Sequence, residues 1–172
     1  MDTNPEPRRG ASLAEWVALV MLLWPQGSRV RGMSLRTDCL SNLKQIGLSM
    51  AIYAEDNQGR FPMDAANPTQ AGSLRMMSNT LTSVRILACP AAVIKRRLRP
   101  AEEWSSLTAR NISYMYVPNL AINANPDAIV ALDKTDCVHA GCNWPRTGNH
   151  GDTGGNILFF RWLRLIQREI AG

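Results

Sequence analysis

Four residues near the end of the sequence carry side chains that bind metals. Cys137, His139 and Cys142 lie within six consecutive positions, and His150 follows eight positions later. Two thiolates and two imidazoles are a ligand set that zinc binds in a tetrahedron. The spacing matches no standard zinc finger, and zinc binding, a local disulfide between Cys137 and Cys142, and free thiols are the alternatives. An extracytoplasmic zinc-binding module is the alternative function that this cluster predicts.

Four aspartates in the second half of the chain offer the oxygen ligands that calcium prefers. They are Asp127, Asp133, Asp136 and Asp152. Their spacing forms no recognisable calcium loop, and aspartate is common in turns because its side chain hydrogen-bonds to nearby backbone. We interpret these residues as turn formers and expect no resident cofactor, whether calcium or zinc.

No segment of the sequence has the pattern of a catalytic centre. Ser105 and Ser106 lack the Gly-x-Ser-x-Gly frame of hydrolase nucleophiles, and neither histidine lies in a nucleophile motif. The sequence also lacks a glycine loop of the kind that cradles phosphates. We therefore expect that the chain is not an enzyme.

The chain is basic, with a formal net charge of +5 and a pI near 9.4. A basic balance can indicate binding to nucleic acid or to an anionic membrane surface. The densest basic run is 95–99, which holds one lysine and three arginines. We interpret this run as a solvated surface and expect no nucleic-acid partner.

An apolar block occupies residues 11–24 and reads ASLAEWVALVMLLW, with Ser12 and Glu15 as its polar members. Fourteen helical residues span about 21 Å, whereas the hydrocarbon core of a bilayer is about 30 Å thick. The block alone is therefore compatible with a secretory signal core, a buried helix or an interfacial helix. A signal core fits poorly, because no small-x-small cleavage site follows and Glu15 lies inside the block.

The order of residues at the start of this block is informative. Residues 8–15 read RRGASLAE, so a glutamate follows the glycine by five positions. A carboxylate buried in an apolar setting is costly unless a partner charge meets it. The pattern resembles the class III signal of type IV pilins and type II secretion pseudopilins. The resemblance implies cleavage by a prepilin peptidase between Gly10 and Ala11, N-methylation of Ala11, and pairing of Glu15 with the amine of a neighbouring subunit.

A second helix is predicted from about residue 34 to residue 56. An apolar stripe recurs there at steps of four and three residues, which places its members on one helical face. The stripe consists of Cys39, Leu43, Ile46, Met50 and Tyr53.

The wording of this helix resembles a longer family signature. Residues 39–48 read CLSNLKQIGL and residues 53–62 read YAEDNQGRFP. Both are similar to a pseudopilin-like group with prepilin-type amino-terminal cleavage and methylation, some of whose members carry an H-X9-DG motif. Cys89-Pro90 resembles the Cys-Pro turn of that group. The Asp-Gly of the final motif is absent, since Arg161-Trp162 stands in its place.

The second half of the chain predicts a small sheet without the resemblance. Three short apolar runs at 112–117, 128–132 and 156–160 are bounded by Gly, Pro, Asn or Asp. We expect an α+β fold in which a long amino-terminal helix, membrane-inserted in its first part, packs on a small antiparallel sheet, as in pilins.

The predicted domain organisation has three parts. A leader peptide covers 1–10, an apolar helix and a break cover 11–33, and a pilin-like body covers 34–172. Within the body we expect a helix at 34–57, a loop-rich region at 58–110, a sheet at 111–163 and a tail at 164–172.

Two further cysteines depend on the compartment. Cys39 lies on the helix stripe and Cys89 lies at the start of the sheet region. Outside the cytosol, disulfides form and persist. A helix-to-loop disulfide between the two and simple burial of both thiols are the alternatives.

Taken with the resemblance, these patterns predict a pseudopilin-like structural subunit of a type II secretion or type IV pilus-like filament. We expect a single-pass protein of the cytoplasmic (inner) membrane with its body in the periplasm or extracytoplasmic space. The expected partners are other pilin or pseudopilin subunits, a prepilin peptidase and the membrane itself.

Overall fold

Two helices of unequal length open the structure, which is a computed structural model. α1 spans Leu13–Leu23 and α2 spans Gln26–Asp56. The chain divides into two compact units, Met1–Ser34 and Leu35–Gly172. The residues that the structure describes are 12–23, 26–66, 68–118, 120–121, 123–134, 149–150 and 155–163.

α1 begins with a capping box formed by Ser12 and Glu15. The backbone N–H of Ser12 donates to Oε2 of Glu15 at 2.7 Å, and the N–H of Glu15 donates to Oγ of Ser12 at 3.4 Å. Each side chain thus satisfies a backbone donor that the start of a helix leaves without a partner. Serine followed three positions later by glutamate is the sequence signal for this cap.

The prediction of a long, membrane-inserted amino-terminal helix is wrong. The apolar helix α1 has 11 residues, which is about 16 Å at 1.5 Å per residue. The long helix is α2, with 31 residues, and its first half carries Arg29, Arg31 and Arg36. In the described part of the chain, no helix has both the length and the apolarity needed to cross a membrane. The segment predicted as a break before residue 34 is helical from Gln26 onward.

One face of α2 forms the centre of the body's core. Four members of the predicted stripe are at most 1% exposed, and Ala54 rather than Tyr53 continues the buried face at the end of the helix. The helix ends at Asp56, followed by Gln58 and Gly59 with φ of 58° and 76°. The buried residues of this face are Cys39, Leu43, Ile46, Met50 and Ala54.

The region between α2 and the sheet consists of short helical segments joined by loops. Thr69 caps the first of them by accepting a hydrogen bond from the N–H of Gly72 at 3.0 Å. Leu74, Met77 and Leu87 from this region are buried in the same core as α2. The segments are α3 (Gln70–Arg75), α4 (Pro90–Ile94) and 3-10 helices at Val84–Leu87, Trp104–Ser106 and Ala109–Asn111.

The sheet has three antiparallel strands in the order β1-β2-β3. β1 spans Tyr114–Tyr116, β2 spans Ile129–Asp133 and β3 spans Ile157–Phe159. The α+β class and the positions of the three strands are confirmed, although each strand differs from its predicted bounds by one or two residues. In the register, Tyr114 lies opposite Asp133 and Leu132 lies opposite Ile157.

α2 lies close against β3 and the helical residues 160–163 that follow it. A Cβ atom placed on Gly47 would come within 2.7 Å of Cδ2 of Leu158 and within 2.9 Å of Cδ2 of Leu163. Phe160 is fully buried, and its ring lies 5.9 Å from that of Phe61. The sheet and α2 therefore pack on a shared core without spare volume at Gly47.

Candidate functional site

A disulfide joins Cys39 of α2 to Cys89, the residue that precedes Pro90 at the start of α4. Both cysteines are fully buried, and their Cα atoms are 5.4 Å apart. Pro90 suits the first position of a helix because that position needs no backbone donor. The bond closes a loop of 50 residues and fixes the start of α4 against α2.

His150 lies beside this disulfide. Its Nε2 atom is 3.8 Å from Sγ of Cys89 and 3.3 Å from Oδ2 of Asp133. The side chains of His150 and Asp133 are only 4% and 1% exposed. A sulfur pair, an imidazole and a carboxylate thus converge in the interior of the body.

Asp133, the last residue of β2, is held by several donors. The backbone N–H and the Nδ2 of Asn156 donate to its Oδ2 at 2.8 and 3.0 Å, and Nδ2 of Asn149 lies 3.4 Å from its Oδ1. A buried carboxylate needs such partners because its desolvation is costly. The hydrogen bonds fix the direction in which the carboxylate points.

The two asparagines connect the site to the rest of the body. Nδ2 of Asn149 donates to the carbonyl of Ser113 at 2.7 Å, and Nδ2 of Asn156 donates to the carbonyl of Arg36 at 3.3 Å. Both asparagines are buried. The site therefore rests on the start of β1, on α2 and on the segments that flank β3.

Tyr114 lies next to the site on β1. Its hydroxyl donates to the carbonyl of Cys39 at 3.5 Å. Burial raises the pKa of this phenol well above its usual value, the nearby charge of Asp133 raises it further, and a hydrogen bond with Asn42 partly opposes the shift. The hydroxyl therefore stays protonated and acts as a donor.

The arrangement does not have the geometry of a catalytic triad. In a triad the histidine uses one nitrogen for the nucleophile and the other for the carboxylate. Here the same nitrogen, Nε2 of His150, faces both Cys89 and Asp133. Ligand atoms from Cys39, Cys89, Asp133 and His150 instead all lie within 4.8 Å of one another, which is the convergence that metal ligands show.

The structure describes one of the four residues of the cluster predicted from sequence. His150 is the one member among the described residues, and it contacts Cys89 and Asp133. Cys137, His139 and Cys142 lie outside the described residues, as do Gly10 and Ala11 of the predicted cleavage site.

Asp133 is the site residue that the sequence analysis missed. Its interpretation as a turn residue is wrong, since it ends a strand and is 1% exposed. The sequence does contain a signal for its burial, because Asp133 directly follows the apolar run AIVAL at 128–132. Asp127 is exposed and pairs with Arg161, and the other two aspartates lie outside the described residues.

A second feature of the molecule is the uncovered surface of α1. Every residue from 12 to 21 is exposed, although most of them are apolar. Leu13, Trp16 and Met21 are 84%, 61% and 71% exposed. A helix that is apolar on all sides is normally covered by protein or lipid, so the surface of α1 is a candidate contact surface.

The basic run 95–99 lies on the surface after α4. Lys95, Arg96, Arg97 and Arg99 are all exposed, and Nζ of Lys95 donates to the carbonyl of Asn149 at 3.5 Å. Leu98 between them is half-buried and packs against the core.

Comparisons of the chain with protein-family models, with curated proteins and with solved structures gave no match.

Proposed function

We propose that the chain is a structural subunit of a pseudopilin-like envelope filament and that it assembles through α1. The observation that carries the proposal is the exposed apolar surface of α1. Large uncovered apolar surfaces mark contacts with other molecules. The sequence resemblance to pilins and pseudopilins gives the kind of contact, which is helix against helix between sister subunits.

The length of α1 favours sister helices as its cover. Eleven residues make a rod of about 16 Å, which is about half the thickness of a bilayer's hydrocarbon core. Packing against the α1 helices of neighbouring subunits would cover the apolar surface of this helix along its full length. Trp16, Leu19 and Val20 supply large side chains for this packing.

The body belongs outside the cytoplasm in this proposal. Its disulfide between Cys39 and Cys89 is of the kind that forms and persists in oxidising compartments. A prepilin peptidase would release the leader between Gly10 and Ala11 and methylate Ala11. In this proposal the subunit has no catalytic role, and it contributes to the filament by packing against its neighbours.

A matched pair of charge substitutions tests assembly through α1. Val20 is 51% exposed on α1, and Ile94 is 61% exposed at the end of α4. Val20→Glu should abolish co-sedimentation of the protein with its polymer, because an unpaired carboxylate is costly between packed apolar helices. Ile94→Glu should assemble as the unsubstituted chain does. Equal assembly of both variants would remove the basis of the proposal.

A second pair separates two roles of Glu15. Its carboxylate caps α1 by accepting from the N–H of Ser12, whereas the filament proposal requires its negative charge to meet the amine of a neighbour. Glu15→Gln keeps a capping side chain and removes the charge. Ser12→Ala keeps the charge and weakens the cap. Loss of assembly only in Glu15→Gln supports charge pairing, and loss only in Ser12→Ala assigns Glu15 to its own helix.

Mass spectrometry of the protein extracted from membranes tests processing. A mature amino terminus at methylated Ala11 is the expected result. An intact Met1 on assembled protein would show that no peptidase acts at Gly10, and the leader would then need another explanation.

A further inference from the structure

We infer that the buried site binds zinc as long as Cys39 and Cys89 are reduced, before they form the disulfide. The ligands are the thiolates of Cys39 and Cys89, the carboxylate of Asp133 and Nε2 of His150. The four ligand atoms already lie within 4.8 Å of one another. This inference stands apart from the proposed filament function and uses none of the residues of α1.

Two distances at the site are close to edges of a zinc tetrahedron. With zinc bonds of about 2.3 Å to sulfur and about 2.0 Å to nitrogen or oxygen, the tetrahedral edges are about 3.3 Å for N···O, 3.5 Å for S···N and 3.8 Å for S···S. The observed distances from Nε2 of His150 are 3.3 Å to the carboxylate of Asp133 and 3.8 Å to the sulfur of Cys89. The two sulfurs, which are bonded to each other in the disulfide, have to move apart to reach their edge, and the other ligand atoms lie within 4.8 Å of one another.

The surroundings of the ligands also suit a metal. Asp133 accepts two hydrogen bonds from Asn156, which orient its carboxylate. Such outer contacts to ligands hold metal sites in shape. All four side chains are buried, and four protein ligands leave no open position. These are properties of a structural zinc site rather than a catalytic one.

The metal and the disulfide exclude each other at this site. The ribosome incorporates both cysteines as thiols, and zinc binding displaces the two thiol protons. An external disulfide then removes two electrons from the two thiolates and is itself reduced to two thiolates. The bond between Cys39 and Cys89 forms, and Zn²⁺ leaves with its charge unchanged. The disulfide links α2 to the start of α4, and a bound zinc would link both of them to the end of β2 through Asp133.

The full chain in its two redox states provides the first test. Protein carrying Cys137→Ser and Cys142→Ser is prepared oxidised, or reduced with a phosphine, and is titrated with Zn²⁺ against a chromophoric chelator. We expect about one Zn²⁺ per reduced chain and binding at least about a hundredfold weaker in the oxidised chain. Equal binding in the two states would overturn the inference.

Cobalt identifies the ligands without any change at the site. Co²⁺ added to the same reduced protein should give the intense visible bands of a tetrahedral ion and a thiolate charge-transfer band in the near ultraviolet. A spectrum of octahedral Co²⁺ without the thiolate band would overturn the inference, and this result needs no substitution of a proposed ligand.

Substitutions then separate this site from the sequence cluster. His150→Ala and Asp133→Asn should each weaken zinc binding by about tenfold or more. In an otherwise unsubstituted chain, His139→Ala should leave binding unchanged. Retention of zinc by the Cys39→Ser, Cys89→Ser double variant, with loss of zinc in His139→Ala, would assign the metal to Cys137, His139 and Cys142 instead.

Discussion

The amino-terminal helix and the body place similar apolar residues in opposite environments. Leu19 on α1 is 50% exposed, whereas Leu43 on α2 is fully buried. The body closes its core with its own sheet, its own short helices and a disulfide. α1 taken by itself presents apolar side chains on all its faces, and a single helix of this length has no core in which to bury them.

The polar residues of the two regions show the same difference. Glu15 is satisfied locally, by a residue three positions away. Asp133 is satisfied by Asn156 and Asn149, which lie 23 and 16 positions away along the chain. Local hydrogen bonds make α1 a self-contained helix, whereas long-range hydrogen bonds make the body depend on its tertiary structure.

The disulfide should give the largest effect on the stability of the body. Closing a loop of 50 residues stabilises the folded state by about 4 kcal/mol in the chain-entropy description. The Cys39→Ser, Cys89→Ser double variant should therefore unfold at a much lower urea concentration than the oxidised protein, as followed by tryptophan fluorescence.

A control without any substitution accompanies that experiment. Reduced protein in the presence of a metal chelator has the same sequence as the oxidised protein and lacks the bond between Cys39 and Cys89. It should lose a similar free energy of unfolding. If the double variant and the oxidised protein unfolded at the same urea concentration, the body would not depend on this link.

The same leucine truncation in the two regions should differ strongly in cost. Leu43→Ala removes a fully buried side chain from α2, and such truncations lower the free energy of unfolding by about 2–5 kcal/mol. Leu19→Ala on exposed α1 should change it by less than about 0.5 kcal/mol. Urea denaturation of both variants checks the pair, and an equal loss would mean that α1 is part of the body's core.

The sequence predicts the body better than it predicts the amino-terminal unit. The stripe on α2 and the three strands follow from periodicity, because packing on one core requires a helix face and short apolar runs. The length of the first helix cannot be derived from periodicity, because the apolar block has no polar face. The sequence predicts a long amino-terminal helix that starts with the apolar block at 11–24 and is broken before residue 34, although Arg29 and Arg31 end the apolar character there.

The buried site was only partly accessible from the sequence. Cys39, Cys89 and His150 are of chemically distinctive types, and the sequence predicts the first two as possible disulfide partners and the third as a possible zinc ligand. Their convergence was not predictable, since it depends on how β2 pairs with its neighbours and brings Asp133 to the interior. The sequence instead predicts Cys137, His139 and Cys142 as the other ligands of His150, because they lie near it along the chain.

Two glycines on α2 provide the smallest and most local test of the comparison. A Cβ on Gly47 would meet Leu158, Leu163 and Trp162 at 2.7–3.2 Å, whereas a Cβ on Gly32 would meet nothing within 4 Å. Gly47→Ala should destabilise the body by about 1–2 kcal/mol, because overpacking outweighs the gain in helix propensity.

Gly32→Ala is the matched substitution on the same helix. It should favour helix formation by up to about 1 kcal/mol, because alanine loses less conformational freedom than glycine and meets no neighbour. Circular dichroism and urea denaturation of both variants give the two signs. Stabilisation by Gly47→Ala would mean that Leu158 and Leu163 turn aside at little cost, and that the core against α2 is looser than the contacts at Gly47 indicate. Destabilisation by Gly32→Ala would mean that another molecule or segment lies against the start of α2.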